Sequence, residues 1–187
     1  MNTGNNGYKA LVIGGAKSGK TGFALSLAES ILAHGKRGLY VATCQPMDDE
    51  MKAKVAAHQQ ERSPIWDTLE EHIAIEKATI LTSRGRTHGV ILVDCLTLWM
   101  LNIMEHFPNR EKEQISRLVK WYRSVAENVI MVTNEVGLGI VPEGAFTRRY
   151  RELLGYLNQE IARVSQEVFF VMAGLHMKLK GGDHDHG

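Results

Sequence analysis

The chain has 187 residues, of which 44% are hydrophobic, and this length and composition predict a single domain with a sizeable core. Its 22 basic and 21 acidic residues give a net charge of +1, a balance that disfavours nucleic-acid partners and acidic tails. Two cysteines, Cys44 and Cys95, are too few for a disulfide framework and indicate reduced thiols. Since neither a signal peptide nor an apolar run of membrane-spanning length is visible, we expect a cytoplasmic protein without a membrane segment.

Short, continuously apolar runs alternate along the chain with longer helical segments. The runs predict five strands, at 8–13, 38–43, 89–95, 128–133 and 167–173. The segments around them predict helices at 20–34, 48–61, 71–83, 110–126 and 146–165. Because the strand runs are apolar throughout instead of alternating with polar residues, they are typical of parallel strands that are buried on both faces.

This alternation predicts an α/β fold of three layers with a mainly parallel central sheet. No internal repeat or linker divides the chain, so residues 8–180 are expected to form one domain. Residues 1–7 and 181–187 are expected to be disordered ends. In open parallel sheets ligands bind at the carboxyl ends of the strands, and residues at those ends are therefore the first candidates for a site.

A phosphate-binding loop follows the first predicted strand. The stretch "GGAKSGKT" fits the pattern G-x-x-x-x-G-K-[ST], with a strand before it and a helix after it. Backbone N–H groups of such a loop surround phosphate oxygens, its lysine reaches the β and γ phosphates, and its threonine hydroxyl contacts Mg²⁺. A chance glycine-rich turn is disfavoured because strand and helix are both in register. The fold class is therefore a P-loop NTPase (RecA-like) sandwich, with predicted nucleotide-binding residues Gly14, Gly15, Ala16, Lys17, Ser18, Gly19, Lys20 and Thr21.

Asp94 ends the apolar run "GVILVD", at the carboxyl end of a predicted strand. P-loop enzymes place an acid there that holds Mg²⁺ directly or through water. Thr21 and Asp94 are accordingly the predicted metal ligands. The alternative role for Asp94 is to cap whatever element follows the strand.

The segment "DDEMKAKVAAHQQER" predicts a helix that carries His58. Its three acidic residues, 48–50, suit a helix start, where they cap the backbone and complement the dipole. Met51, Val55 and His58 then fall on one face, so spacing alone favours a core histidine over a catalytic one. A neutral imidazole is nevertheless a competent nucleophile near pH 7.

Four blocks of the chain resemble the bifunctional adenosylcobinamide kinase/adenosylcobinamide-phosphate guanylyltransferase family of cobalamin biosynthesis. They are "GGAKSGKT" at 14–21, "VATCQPMDDEMKAKVAAHQQERSPIW" at 41–66, "LVDCLTLWMLN" at 92–102, and "VTNEVGLGIVPEGAFTRRYRELLGYLNQ" at 132–159. The first block is common to many families, whereas the second and fourth are specific. Three positions depart from the family pattern, namely Gly144 in place of Asn, Glu152 in place of Asp, and His176 in place of Pro or a small residue.

The resemblance implies two reactions in sequence. The hydroxyl of adenosylcobinamide is phosphorylated with ATP or GTP, and GMP then passes from GTP to adenosylcobinamide phosphate through a guanylylated histidine, here His58. It also implies a homotrimer with the corrinoid substrate between subunits. The nucleotide contacts that it implies outside the phosphate loop come from Ala42, Thr43, Cys44, Gln59, Gln60, Glu61, Arg62, Glu70 and Asp94. Lys20 and His58 are the predicted catalytic residues.

Two further clusters have both a functional and a structural interpretation. Asn134 and Glu135, at the end of the fourth strand run, either orient Mg²⁺, water or acceptor, or start a loop. Arg148, Arg149 and Arg151 either meet a substrate phosphate or a neighbouring subunit, or form a solvated helix face. Packing, in preference to corrinoid stacking, is expected of the tryptophans Trp66, Trp99 and Trp121.

Two other functions stay open from the residues alone. One is a P-loop small-molecule kinase without nucleotidyl transfer, in which His58 is a core residue. The other is a nucleotide-switched binding protein or motor, a class that the absence of a basic tract does not favour.

Overall fold

A computed structural model describes residues 7–45, 63–83 and 88–182, which form one seven-stranded sheet and the helices around it. The strands are β1 Lys9–Gly14, β2 Arg37–Ala42, β3 Trp66–Glu70, β4 His88–Asp94, β5 Asn128–Asn134, β6 Glu167–Met172 and β7 Leu175–Lys180. The helices are α1 Lys20–Ser30, α2 Ala78–Ser83 (after the 3₁₀ turn Ile75–Lys77), α3 Leu96–His106, α4 Glu111–Ser124 and α5 Ala145–Val164. In the described parts of the chain, the length and hydropathy that a bilayer span requires are not met by any helix.

The strand order is β3-β2-β4-β5-β1-β6-β7, with every neighbouring pair parallel except β6 and β7. The register aligns the carboxyl ends of neighbouring strands, since Gly14 pairs with Asn134 and Ala42 pairs with both Asp94 and Glu70. Chain reversals after these residues therefore meet along a single edge of the sheet. The predicted α/β class with a mainly parallel sheet is confirmed.

The core has two layers, one on each face of the sheet. Successive strand residues point to opposite faces, so Leu11 packs into one layer while Ala10 and Val12 pack into the other. The first layer contains the buried sides of α3, α4 and α5, and the second contains the small buried residues of α1, Ala24 and Ala28. This arrangement is the three-layer sandwich that the sequence predicts.

Three elements were not predicted from the sequence. β3 ("WDTLE") and β7 ("LHMKLK") are outer strands of the sheet. Because they contain polar residues, they do not form the continuously apolar runs from which strands were predicted. α3 ("LTLWMLNIMEH") is buried on most of its surface, which removes the one-sided apolar stripe that identifies a surface helix.

Two predicted helices are shorter than expected. α1 ends at Ser30 instead of 34, because turn hydrogen bonds from Leu32 to Glu29 and from Lys36 to Ala33 replace the helical pattern. The helix predicted at 71–83 forms only at its end, as the 3₁₀ turn and α2. There the Glu71 carboxylate accepts hydrogen bonds from the backbone N–H groups of residues 73 and 74, which holds this stretch in a turn.

Several predictions fall on residues outside the described ranges. These include the helix at 48–61 with His58, and most of the two ends that are expected to be disordered. Gly7, at the boundary, donates its N–H to the carbonyl of Ala126 at 2.9 Å.

Candidate nucleotide-binding site

The phosphate loop needs glycine at two positions. A Cβ on Gly14, the last residue of β1, would lie 2.5 Å from both Ser18 Oγ and the Val171 carbonyl oxygen, which is too close for any side chain. Gly19 has φ +92° and precedes the first residue of α1, so the loop enters the helix through a left-handed conformation that favours glycine. Both glycines of the motif are therefore required by the backbone itself.

The turn between β6 and β7 supports this loop from the side. Gly174 donates its N–H to the Ser18 carbonyl at 2.9 Å, and its Cα lies 3.3 Å from the position of a Cβ on Gly19. Ser18 is itself buried, and its Oγ has no hydrogen-bond partner among the described residues. The β6–β7 hairpin thus holds the loop in place, and the buried Ser18 hydroxyl remains available to a ligand.

Positive electrostatic potential collects at the start of α1. The first helical turn contains no acidic residue, and its free backbone N–H groups carry the positive end of the helix dipole. Lys20, the first residue of the helix, donates from Nζ to the Gly15 carbonyl at 3.1 Å, so its ammonium group folds back over the loop. An anion such as a nucleotide phosphate is the ligand that this arrangement attracts.

The two predicted metal ligands lie side by side. Thr21 Oγ1 donates a hydrogen bond to Asp94 Oδ2 at 3.0 Å, although the residues are 73 positions apart in the chain. Tyr40, on β2, donates from its hydroxyl to the same oxygen at 2.7 Å. Hydroxyl and carboxylate oxygens suit Mg²⁺, which is bound by one or two protein side chains together with phosphate and water oxygens. The described residues contain no group of three or more His, Cys, Asp or Glu side chains able to hold a metal.

Asp94 does not act as the cap of the following helix. The residue before α3 is Cys95, and no side chain caps that helix end. The Asp94 carboxylate instead accepts the Thr21 and Tyr40 hydroxyls, which leaves it directed toward the phosphate loop.

Other predicted nucleotide contacts lie at the same edge of the sheet in different surroundings. Ala42 ends β2 and Glu70 ends β3. Thr43 is fully buried, and its hydroxyl bonds both the carbonyl and the N–H of Cys95, so its side chain joins the ends of β2 and β4. Cys44 is half-buried, and burial raises the pKa of its thiol.

The predicted nucleophile lies outside the described ranges, together with the contacts next to it, Gln59, Gln60, Glu61 and Arg62. The structure therefore brings together Gly14–Thr21, Ala42, Thr43, Cys44, Glu70 and Asp94 at one edge of the sheet, and does not place His58 relative to them.

Two hydroxyl groups at this edge were missed in the sequence. Tyr40 is an internal strand residue, so its hydrogen bond to Asp94 follows from the pairing of β2 with β4 and has no local signal. Thr97 accepts the backbone N–H of Asn134 at 2.7 Å and thereby ties α3 to the end of β5. The only sequence signal that Thr97 lies near the site is its position three residues after Asp94.

The three arginines of α5 are not a uniformly solvated face. Arg149 forms a two-oxygen ion pair with the buried carboxylate of Glu111. Arg148 donates to the carbonyls of Pro142 and Glu143, and Arg151 donates to the carbonyl of Gly137. Two of the three therefore hold the loop that follows β5. Of the tryptophans, Trp66 and Trp99 are buried in the core, and Trp121 packs against it partly exposed.

A parallel sheet whose first strand runs into a phosphate loop and α1 defines a P-loop nucleotide-binding protein. The flagellar accessory protein FlaH from Methanocaldococcus jannaschii has a similar fold, with a TM-score of 0.53 at 14% identity over 95% of this chain and 80% of that one. At this identity the likeness concerns the fold alone, and it confirms the predicted P-loop, RecA-like class.

The particular family follows from the sequence comparison. The chain belongs to the family described as cobinamide kinase / cobinamide phosphate guanyltransferase, whose sequence model matches residues 10–179. It is 42% identical over 173 residues to the bifunctional adenosylcobalamin biosynthesis protein CobP of Pseudomonas aeruginosa, covering 91% of this chain and 96% of that protein. It is also 32% identical over 184 residues to the bifunctional adenosylcobalamin biosynthesis protein CobU of Escherichia coli, covering 91% and 98%. The predicted family is confirmed.

Proposed function

We propose that this chain carries out both reactions of its family at one nucleotide site. It phosphorylates the aminopropanol hydroxyl of adenosylcobinamide with ATP or GTP, and it then transfers GMP from GTP to adenosylcobinamide phosphate, which gives adenosylcobinamide-GDP. Family membership and the names of its relatives support the pair of reactions. The hydrogen bond between Thr21 and Asp94, beside the Lys20 ammonium, supports a shared triphosphate site most directly.

In the kinase reaction the substrate hydroxyl attacks the γ-phosphorus. A new P–O bond forms, the bond between the γ-phosphorus and the β–γ bridging oxygen breaks, the hydroxyl proton is released and the nucleoside diphosphate leaves. Lys20 and the loop N–H groups stabilise the charge that develops on the leaving diphosphate. His58 has no part in this reaction.

In the transfer reaction the His58 imidazole attacks the α-phosphorus of GTP. A P–N bond forms, the bond between the α-phosphorus and the α–β bridging oxygen breaks, and pyrophosphate leaves. A phosphate oxygen of adenosylcobinamide phosphate then attacks the same phosphorus, so the P–N bond breaks and the imidazole is restored. Lys20 and the loop N–H groups neutralise the departing pyrophosphate, as they do the diphosphate in the first reaction.

Thr21 and Asp94 are the residues that would hold Mg²⁺, because their oxygens lie together at the phosphate loop. The ion supplies additional positive charge to the phosphates when it is bound. Tyr40 orients the Asp94 carboxylate through its hydrogen bond.

We further propose that the protein is cytoplasmic and forms a homotrimer. The outer strand β7 supports a subunit contact, because Leu175, Met177 and Leu179 point to one side of it and are 76%, 63% and 57% exposed. Burying these side chains against a second copy would remove apolar surface from water. Sedimentation equilibrium gives the mass, and a monomer at micromolar concentration would contradict the trimer.

Labelling with GTP that carries radioactive phosphorus at the α position tests the function. The wild type is expected to take up label that is stable in base and lost in mild acid, as a phosphoramidate is. His58→Ala is expected to lose the label and to transfer GMP at background level, while its kinase rate stays within about threefold, since the γ-phosphate reaction does not need the imidazole.

His34→Ala is the matched control, because His34 is exposed in the turn after α1, and it should keep both rates. Acid-labile label on the His58 variant would mean that another histidine is the nucleophile. Loss of both rates in a folded His58→Ala protein would mean that the histidine serves the nucleotide site as a whole.

A further inference from the structure

A groove with a volume of about 400 Å³ lies between α5 and the loop that follows β5. Arg148, Arg151 and Glu152 of the helix line it, and Gly137 and Val141 of the loop form the facing wall. Two arginines against one glutamate leave the groove net positive.

Arg151, which lines this groove, has a donor group without a partner among the described residues. One nitrogen of its guanidinium group, Nη2, donates to the Gly137 carbonyl, which fixes the plane of the group. The other, Nη1, is buried and has no hydrogen-bond partner among the described residues. A buried donor without a partner is unfavourable unless a ligand accepts from it, and it is rare for that reason.

A glycine inside α5 adds an independent observation. Gly155 occupies the middle of a 20-residue helix, where glycine is unfavourable by about 1 kcal/mol relative to alanine. It lines the groove, and apart from the adjoining backbone of α5 itself no described atom lies within 4 Å of the position where its Cβ would be. Packing inside the described structure therefore does not require glycine here, whereas close approach of a ligand would.

The groove lies near the phosphate loop. Glu135 donates its N–H to the Gly14 carbonyl at 3.2 Å, and Arg151 binds the chain only two residues further along, at Gly137. Since three residues span roughly 10 Å at most, the guanidinium group lies within about 15 Å of Gly14. Tyr150, next to it on α5, donates to the Thr97 carbonyl at 3.1 Å, which places this part of the helix at the same edge of the sheet.

We infer that Arg151, assisted by Arg148, binds the phosphate monoester of the acceptor in the guanylyl-transfer reaction. A guanidinium group matches two phosphate oxygens with its paired N–H groups, and Arg151 is already held in one plane by Gly137. This assignment rests on the proposed function, and it concerns the second reaction only, because the acceptor of the first reaction has no phosphate monoester at that position.

Apolar side chains beside the groove suit the rest of such an acceptor. Leu138, Ile140, Val141 and Phe146 are 83%, 96%, 62% and 56% exposed, and they belong to the same loop and the start of α5. A phosphate ester attached to a large macrocycle presents an anion and an apolar surface together. The loop and the arginines present the complementary pair of surfaces.

Arg151→Ala tests the inference when three quantities are measured on the full chain. The KM for cobinamide phosphate in guanylyl transfer should rise about ten- to a hundredfold, the range expected when a hydrogen-bonded charge partner is lost. The KM for cobinamide in the kinase reaction, and protein labelling by α-labelled GTP without acceptor, should stay within about twofold. Arg163→Ala is the matched control, since Arg163 is an exposed arginine of α5 that pairs with Glu160 outside the groove, and it should change none of the three.

A second variant covers the case in which Arg151→Ala fails to fold. Glu152→Gln keeps the shape of the side chain and removes the negative charge from the groove, so it should lower the KM for cobinamide phosphate about two- to fivefold. The KM for cobinamide should not change. Calorimetric titration of both acceptors adds a readout that does not depend on turnover, and Arg151→Ala or Glu152→Gln should shift only the affinity for the phosphorylated one.

The outcomes separate this inference from the proposed function. If the wild type is not labelled by GTP, the proposed function is wrong, whatever the groove binds. If labelling persists but the wild type binds cobinamide phosphate no more tightly than cobinamide, the groove is not a phosphate site. Equal changes for both acceptors, or a change of sedimenting mass in Arg151→Ala, would make the groove a structural or subunit contact and would overturn the inference.

Discussion

The two edges of the sheet hold an aspartate each, and the two aspartates have opposite surroundings. At the amino edge, Asp67 of β3 accepts hydrogen bonds from Arg37 at 2.8 Å and lies 2.9 Å from a ring nitrogen of His88. At the carboxyl edge, Asp94 accepts hydrogen bonds from the hydroxyls of Thr21 and Tyr40. Within the described ranges Asp94 forms no ion pair, in contrast to Asp67.

The surroundings of Asp67 also lower the pKa of its carboxyl group. The hydrogen bond from Arg37 lowers the pKa of Asp67 to about 2, from an ordinary value of 3.8, and His88 contributes in the same direction. A carboxylate whose oxygens already accept hydrogen bonds from a guanidinium group stabilises the fold and is less available to a metal ion. β4 begins with His88 and ends with Asp94, so one strand connects the ion pair at one edge to the proposed metal ligand at the other.

Among substitutions at the two edges of the sheet, Lys20→Ala is expected to lower the reaction rates most. Both reactions should fall about 10²- to 10³-fold, because each needs the developing charge on the phosphates to be stabilised by Lys20. Lys36→Ala is the matched control, since it removes an exposed lysine next to the amino edge and should leave both rates unchanged. Steady-state rates of each reaction test this expectation. A near-normal rate in either reaction would show that the two reactions do not share the site.

Asp94→Asn should have an intermediate effect that appears as a changed metal requirement. The amide keeps the shape of the side chain but lacks the charge, so the Mg²⁺ concentration for half-maximal rate should rise about 10- to 100-fold, with a smaller loss at saturating Mg²⁺. Thermal unfolding should show a folded protein. An unchanged dependence of the rate on Mg²⁺ concentration would mean that Asp94 is not a metal ligand.

Asp67→Asn makes the same substitution at the other edge and should leave both rates and the Mg²⁺ requirement unchanged. Its effect is on stability, with a loss of about 1 kcal/mol or less near pH 7, because Arg37 is half exposed and the pair is screened by solvent. Since folding lowers the pKa of Asp67, the stabilisation is complete above pH 4 and is lost as the pH falls toward 2.

Denaturant unfolding at several pH values measures this effect. The free energies of unfolding of wild type and Asp67→Asn should differ at pH 7 and converge near pH 2. A difference that stays constant over this range would mean that the carboxylate charge contributes nothing.

The sequence predicted those elements of the fold that leave a local pattern of apolar residues. The five strands predicted from apolar runs formed, because burial on both faces leaves a continuous signal in the chain. β3 and β7 were missed because an outer strand needs no such run, and α3 was missed because a helix buried on most of its surface has no one-sided pattern. The roles of the predicted site residues, His58 included, stay predictions.

The sequence by itself determined the phosphate loop, the family and the acid at the end of β4. Each is a local pattern: glycines at Gly14 and Gly19 that the loop backbone cannot replace, and a carboxylate directly after a buried run. The tertiary structure alone decided which groups meet across the chain. The strand order brings together segments that lie far apart in sequence, and no local pattern encodes such pairings. The hydrogen bonds that depend on it join Tyr40 to Asp94, Arg151 to Gly137, and Gly174 to Ser18.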